Sequence, residues 1–293
     1  MSTASVRAAA APVAPGAPEA LPTLVMEPAG PFPGFGFREL WGYRGLFRFL
    51  VWRDVKVRYA QTVLGAVWAV LQPVLTMAIF AVIFGRFARL PSEGVPYPVF
   101  ALAALVPWTY AATAVTGASN SLTANTGLIT KVYFPRLVVP FAAAAAGLLD
   151  FAISLGLLGA TMLAYGVAPA PEALVAVPAA LLAMLVTVAG VGAWLAALNV
   201  QYRDVRFAVP FLVQVWMYLS PVIYPASLVP ERYRLLYALN PMVGVIGGFR
   251  AGLLGAGAVP WAELELSLAV GAALFASGTL YFRRAERVFA DVA

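Results

Sequence analysis

Apolar and polar positions alternate along this chain in long blocks, and the blocks predict helices that cross a membrane. The first uncharged block, Leu64 to Gly85, holds roughly 22 residues, or ~33 Å of helix, against a bilayer core of ~30 Å. Five more follow at 99–119, 138–167, 173–198, 207–225 and 261–282. Before the first block, Leu40, Tyr43, Leu46, Phe47, Leu50 and Val51 share one helical face, with Arg44 and Arg48 on its flank. That pattern predicts an amphipathic helix lying in the membrane interface, with packing against soluble protein as the other reading. The register fails at Trp52 to Asp54, which predicts a bend there. Between the fifth and sixth blocks, Tyr233 to Leu239 forms a short helical pattern, Asn240-Pro241 interrupts it, and Met242 to Gly255 is apolar but too short to cross. Two readings follow: short re-entrant helices dipping in from the outer side, or a cap resting on the membrane.

The fold class expected is therefore all-α and integral to a membrane: six transmembrane helices, an N-terminal interface helix and two short outer-side helices. Residues 1–36, with seven prolines, predict a disordered cytoplasmic tail, and 37–289 a single transmembrane domain. Composition agrees, with 62% hydrophobic and 11% charged residues, against about 25% charged in soluble domains. The formal charge of +6 sits around the apolar blocks rather than in one patch, so lipid head groups explain it better than nucleic acid. With both termini inside, the cytoplasm receives 14 of the 19 basic residues, as positive-inside topology requires. The outside receives Arg86, Arg89, Arg232, Arg234 and Arg250.

Missing residue types narrow the chemistry. The chain has no Cys and no His, which removes thiolate and imidazole catalysis and the metal sites built on them. Neither of its two lysines, Lys56 and Lys131, follows a glycine, so no Gly-Lys-Ser/Thr phosphate loop is present. No catalytic residue, metal or cofactor is expected in this chain. If ATP powers it, another polypeptide binds the nucleotide.

Two cytoplasmic loops mix charge with aromatic groups. The first, 119–139, contains Leu128, Ile129, Lys131, Tyr133, Phe134 and Arg136; the second contains Tyr202, Arg203, Asp204 and Arg206. Both suit docking of a cytoplasmic partner, and both also suit plain topology charge. Trp68 and Gln72 in the first span, and Trp216, Tyr218 and Tyr224 in the fifth, are candidates to line a channel that grips sugars weakly, with interface anchoring as the alternative. Asp150, well inside the third span, reads as a structural polar contact or as a proton-coupling acid, without a basic partner in the spans.

The segments RDVKVRYAQTVLGAVWAVLQPVLTMAIFAVIFGRF, ITKVYFPR, NVQYRDVRFAVP, MYLSPVIYP and LNPM, in this order, resemble the type-2 ABC exporter permeases. The branch moving O-antigen, capsular polysaccharide or teichoic acid is the most similar. The resemblance implies a 2+2 complex of two copies of this permease with two ABC ATPase subunits that hold ATP and Mg²⁺. It implies a lipid-linked polysaccharide as cargo and a channel at the dimer seam. Location in a bacterial cytoplasmic (inner) membrane, with membrane lipids as surroundings, is implied as well. It gives Leu128 to Arg136 the main coupling role and Tyr202 to Arg206 a second contact. It also makes Tyr233, Asn240, Pro241 and Met242 parts of an outer gate. Export of a small amphiphile or drug by the same machinery is the alternative.

Overall fold

The structure is a computed structural model that describes residues 37–60, 65–132, 134–255, 257–286 and 289. Twelve α-helices and no strand occur among the described residues. Helix α1 spans Phe37–Gly42, α2 Arg44–Ala60 and α3 Gly65–Phe80, the last continuing as a π-helix over Ala81–Phe87. Then come α4 (Tyr97–Ala124), α5 (Thr126–Lys131), α6 (Val138–Ala146), α7 (Leu148–Ala164) and α8 (Ala173–Gln201). The chain finishes with α9 (Val205–Tyr218), α10 (Glu231–Ala238), α11 (Pro241–Leu254) and α12 (Trp261–Ala285). The Pro-rich tail and Tyr133 lie outside the described residues.

Five segments are long and apolar enough to cross a bilayer: Val67–Phe87, Tyr97–Ala124, Val138–Ala164, Ala173–Gln201 and Trp261–Ala285. They agree with five of the six blocks read from the sequence. The fifth block differs. Its helix, α9, stops at Tyr218, so its 14 residues reach only ~21 Å, and 219–225 continue without regular structure. Pro221 cannot donate the amide that a continuing helix needs there.

Helices α4 and α8 form the centre, and α12 and α11 pack on them. At the α8–α12 crossing the backbones nearly touch: a Cβ on Gly190 would stand 2.4 Å from the Phe275 amide nitrogen. On α11, Gly244 makes the same kind of approach to the Glu263 backbone, and Gly248 and Gly252, four and eight residues on, leave room for the Ala180 and Ala176 methyl groups. Helix α11 is buried along nearly its whole length as a result. It ends at Gly255, whose φ of 61° is the left-handed stop that glycine adopts freely.

Helix α3 is the opposite case. None of its described side chains is fully buried, although it is almost purely apolar. Helix α2 runs unbroken through Trp52 to Asp54, and the break expected there falls at Tyr43 instead. Tertiary contact overrides the failed register: Leu50 is buried in one apolar cluster with Phe134, Leu137 and Phe282, while Tyr59 reaches Asp150.

Candidate functional site

At the end where α4 meets α5 and α8 meets α9, the two candidate docking loops come together. A groove of about 270 Å³ lies between them, lined by Thr123, Thr126 and Ile129 on one side and Asn199, Val200 and Arg203 on the other. Asn199 fixes the distance between its walls, donating from Nδ2 to the Ser119 carbonyl at 2.8 Å and to Asn120 Oδ1 at 3.0 Å. Lys131, Tyr202, Arg203, Asp204 and Arg206 are exposed around it, and Val132 and Phe207 add exposed apolar surface. Leu128 is half-buried, while Ile129 and Phe134 are buried and hold the loop down.

Arg136 is not at the lip of this groove. Its amide donates to Glu286 Oε1 at 3.0 Å, its Nη1 to the Glu286 carbonyl at 3.3 Å, and its guanidinium lies over the Phe289 ring. Arg136 therefore ties the first loop to the end of α12. Arg283, one turn earlier, pairs with Glu39 of α1 at 3.0 Å. Burial pushes the Glu286 carboxyl above its ordinary range, and the Arg136 amide and guanidinium offset only part of that rise.

The ring candidates separate by face. Tyr218 and Trp68 are more than half exposed, and Gln72 is exposed with Trp68 on α3. Trp216 is half-buried: it packs edge-on against Trp108 with centroids 5.6 Å apart, and its Nε1 donates to Asn240 Oδ1 at 2.8 Å. Tyr224 is half-buried and donates to the Tyr218 carbonyl. Sequence reasoning missed a polar stripe on α4. Thr109, Thr113, Thr116 and Asn120 recur at four, three and four residues and keep partly open surface. Their spacing was the available signal. Thr113 and Thr116 donate to carbonyls one turn back at 2.8 Å, which leaves their oxygens as acceptors.

Of the outer residues, Tyr233 is exposed under Arg232, whereas Pro241 and Met242 are buried. Asn240 caps α11, accepting from the Met242 amide, and also donates to the Leu219 carbonyl and to Ser220 Oγ at 2.9 Å each. Arg250, which the sequence showed only as one of five outer-side charges, is buried, and its donors find main-chain carbonyls.

Asp150 makes a structural polar contact, the first of the two readings that its place in the sequence allowed. It accepts from Arg58 Nη1 and from the Tyr59 hydroxyl, so its basic partner comes from α2 and not from a spanning segment. The residue lies 12 positions after Val138 and 14 before Ala164, close to the middle of that apolar segment.

The model of the ABC-2 type transporter family matches residues 45–254. The chain belongs to the ABC-2 type transporter family. Among curated relatives, this ABC-2 chain is 35% identical over 217 residues to the O-antigen export system permease protein RfbA of Myxococcus xanthus, covering 73% of this chain and 82% of that one. The Klebsiella pneumoniae O-antigen export system permease protein RfbA is 26% identical over 240 residues, 82% of this chain and 92% of the relative. The polysialic acid transport protein KpsM of Escherichia coli is 23% identical over 197 residues, 66% and 75% of the two chains. The ABC-2 match spans α2 through α11, so it takes in the groove, α3, α9 and the Arg250 cluster.

Proposed function

We propose that this ABC-2 chain is the permease of a polysaccharide exporter and that a separate ATPase drives it. The groove between α5 and the α8–α9 turn carries this reading. It joins two sequence-distant loops into one surface with exposed aromatic, aliphatic and charged groups, the composition of a docking site. An ATPase seated there pushes on α4 and α5 through one wall and on α8 and α9 through the other. Arg136 passes the same motion to α12.

Two copies of the permease meet through α3 and α9. Their outward faces carry Leu71, Leu75, Ile79, Phe211 and Val215, too much apolar surface to leave beside a water-filled path. Trp68, Gln72, Tyr218 and the α4 hydroxyl stripe then border the conduit. Aromatic faces and hydroxyls offer a polysaccharide many weak, exchangeable contacts. The chain makes six crossings, with α9 and 219–225 as the fifth, and both termini face the cytoplasm of a bacterial inner membrane. The O-antigen and polysialic acid relatives favour a polysaccharide cargo, lipid-linked as it leaves the inner leaflet, over a small drug.

The test is co-purification followed by transport. Substituting Tyr202→Ala together with Val132→Asp in the groove rim should abolish both ATPase binding and ATP-dependent glycan export, with the permease still in the membrane. Retained ATPase binding by that variant would overturn the docking assignment. Export of a drug-like amphiphile but no glycan by the reconstituted complex would overturn the cargo.

A further inference from the structure

Residues 219–225 follow α9 without regular structure, in a protein whose neighbouring segments lie in lipid. Irregular backbone survives at such depth only when the protein satisfies its polar groups. Here each carbonyl from Tyr218 to Tyr224 has a donor. Arg250 supplies three of them, from Nη1 to Pro221 at 2.6 Å and Tyr224 at 3.2 Å, and from Nη2 to Val222 at 2.8 Å. Asn240 donates to Leu219 at 2.9 Å and the Tyr97 hydroxyl to Ile223 at 2.7 Å. The Tyr224 hydroxyl donates to Tyr218 at 3.0 Å and the Val222 amide to Ser220 at 2.7 Å.

Arg250 also donates from Nε to the Phe100 carbonyl at 3.3 Å, and its guanidinium carbon lies 3.6 Å from the Phe100 ring centroid. The side chain is only 4% exposed. A buried cation is costly, and four carbonyl dipoles plus an aromatic face are what offset that cost. A lysine could not replace it, because one ammonium cannot reach three carbonyls held in a fork.

We propose that Arg250, seconded by Asn240, is the positioning residue of the conduit's outer mouth. It locks the non-helical end of α9 to α4 and α11, so Tyr218 and Tyr224 form a fixed rim that moves with α11 as one body rather than a hinged flap. The functional consequence rests on the conduit reading above; the geometry does not.

The chain contains no cysteine, so a single Tyr224→Cys substitution gives a clean label site. In the permease–ATPase complex in nanodiscs, a membrane-impermeant maleimide should react slowly at that site. In an added Arg250→Lys background it should react about five- to tenfold faster, because labelling follows local opening. A Glu172→Cys control, on the short turn before α8, should react at one rate in both backgrounds. Equal rates at position 224 with and without Arg250→Lys would overturn the proposal. If Arg250→Lys does not reach the membrane, Leu219→Cys is compared with and without Asn240→Ala; acceleration supports the clasp and equal rates overturn it. Faster labelling with undiminished glycan export would leave the clasp standing and remove the conduit role of the rim.

Discussion

Asp150 offers the sharpest quantitative test, because one carboxylate holds the end of α2 against the middle of the α6–α7 segment through two donors. The Arg58 and Asp150 side chains stay partly open, and a partly open ion pair contributes about 1 kcal/mol. The Tyr59 hydroxyl bond to a carboxylate contributes about 1 kcal/mol more. Asp150→Ala should therefore loosen the last turns of α2 by about 2 kcal/mol, a roughly 30-fold rise in local opening, and Tyr59→Phe by about fivefold. Hydrogen exchange of peptides covering 53–60, measured in nanodiscs, reads this directly. Arg58→Ala with Asp150→Ala should be less than additive, since both remove the same pair. Unchanged protection of α2 in Asp150→Ala, or strict additivity, would refute the tie. The pH dependence has a definite sign. Burial first, and the Asp150 bond second, push the Tyr59 phenol up to about 12. A raised value favours the protonated donor, so its contribution is complete below the ordinary phenol value of about 10 and is lost only as pH rises through about 12. Raising pH from 7.5 to 10 should leave α2 protection, corrected for intrinsic exchange, unaltered.

Arg136→Ala should lower the melting temperature, and more so as pH rises. Glu286, already raised by burial and facing Arg136, Arg283 and Glu39, then loses its main opposing cation, so stability present at low pH falls away as the carboxyl ionises. Adding Glu286→Gln should restore the loss at pH 8, and failure to do so would sink the pairing. Gly190→Leu should prevent folding or expression, since even a Cβ there must move Phe275 by about 1 Å to reach ordinary contact. Gly156→Ala, where nothing lies within 4 Å of the added Cβ, should be neutral or stabilising by up to about 1 kcal/mol. Trp216→Phe should cost about 1 kcal/mol in thermal unfolding through the lost Asn240 bond, while Tyr218→Ala should change stability little and slow glycan export. Normal export by Tyr218→Ala would make that ring mere surface.

Hydropathy alone determined most of the architecture. Apolar runs of membrane length have few other fates, and proline and glycine mark where several of them stop: Pro221 beyond α9, Asn240-Pro241 before α11 and Gly255 after it. The two loops that form the groove stood out in the sequence too, because they place charge and aromatic groups between apolar blocks. The spacing of Gly244, Gly248 and Gly252 was equally open to reading and foretells a helix that packs closely against its neighbours. The tertiary structure decided which polar side chains meet. Arg250 looked like one more outer charge, Asp150 like an acid with no basic partner in the spans and Arg136 like a docking residue. Their partners lie 28, 92 and 150 residues away in the chain, and no local period encodes that. Trp216 and Tyr218 make the same point at short range. Two residues apart, they sit about 200° apart around α9, and only the neighbouring helices determine which face is packed and which is open.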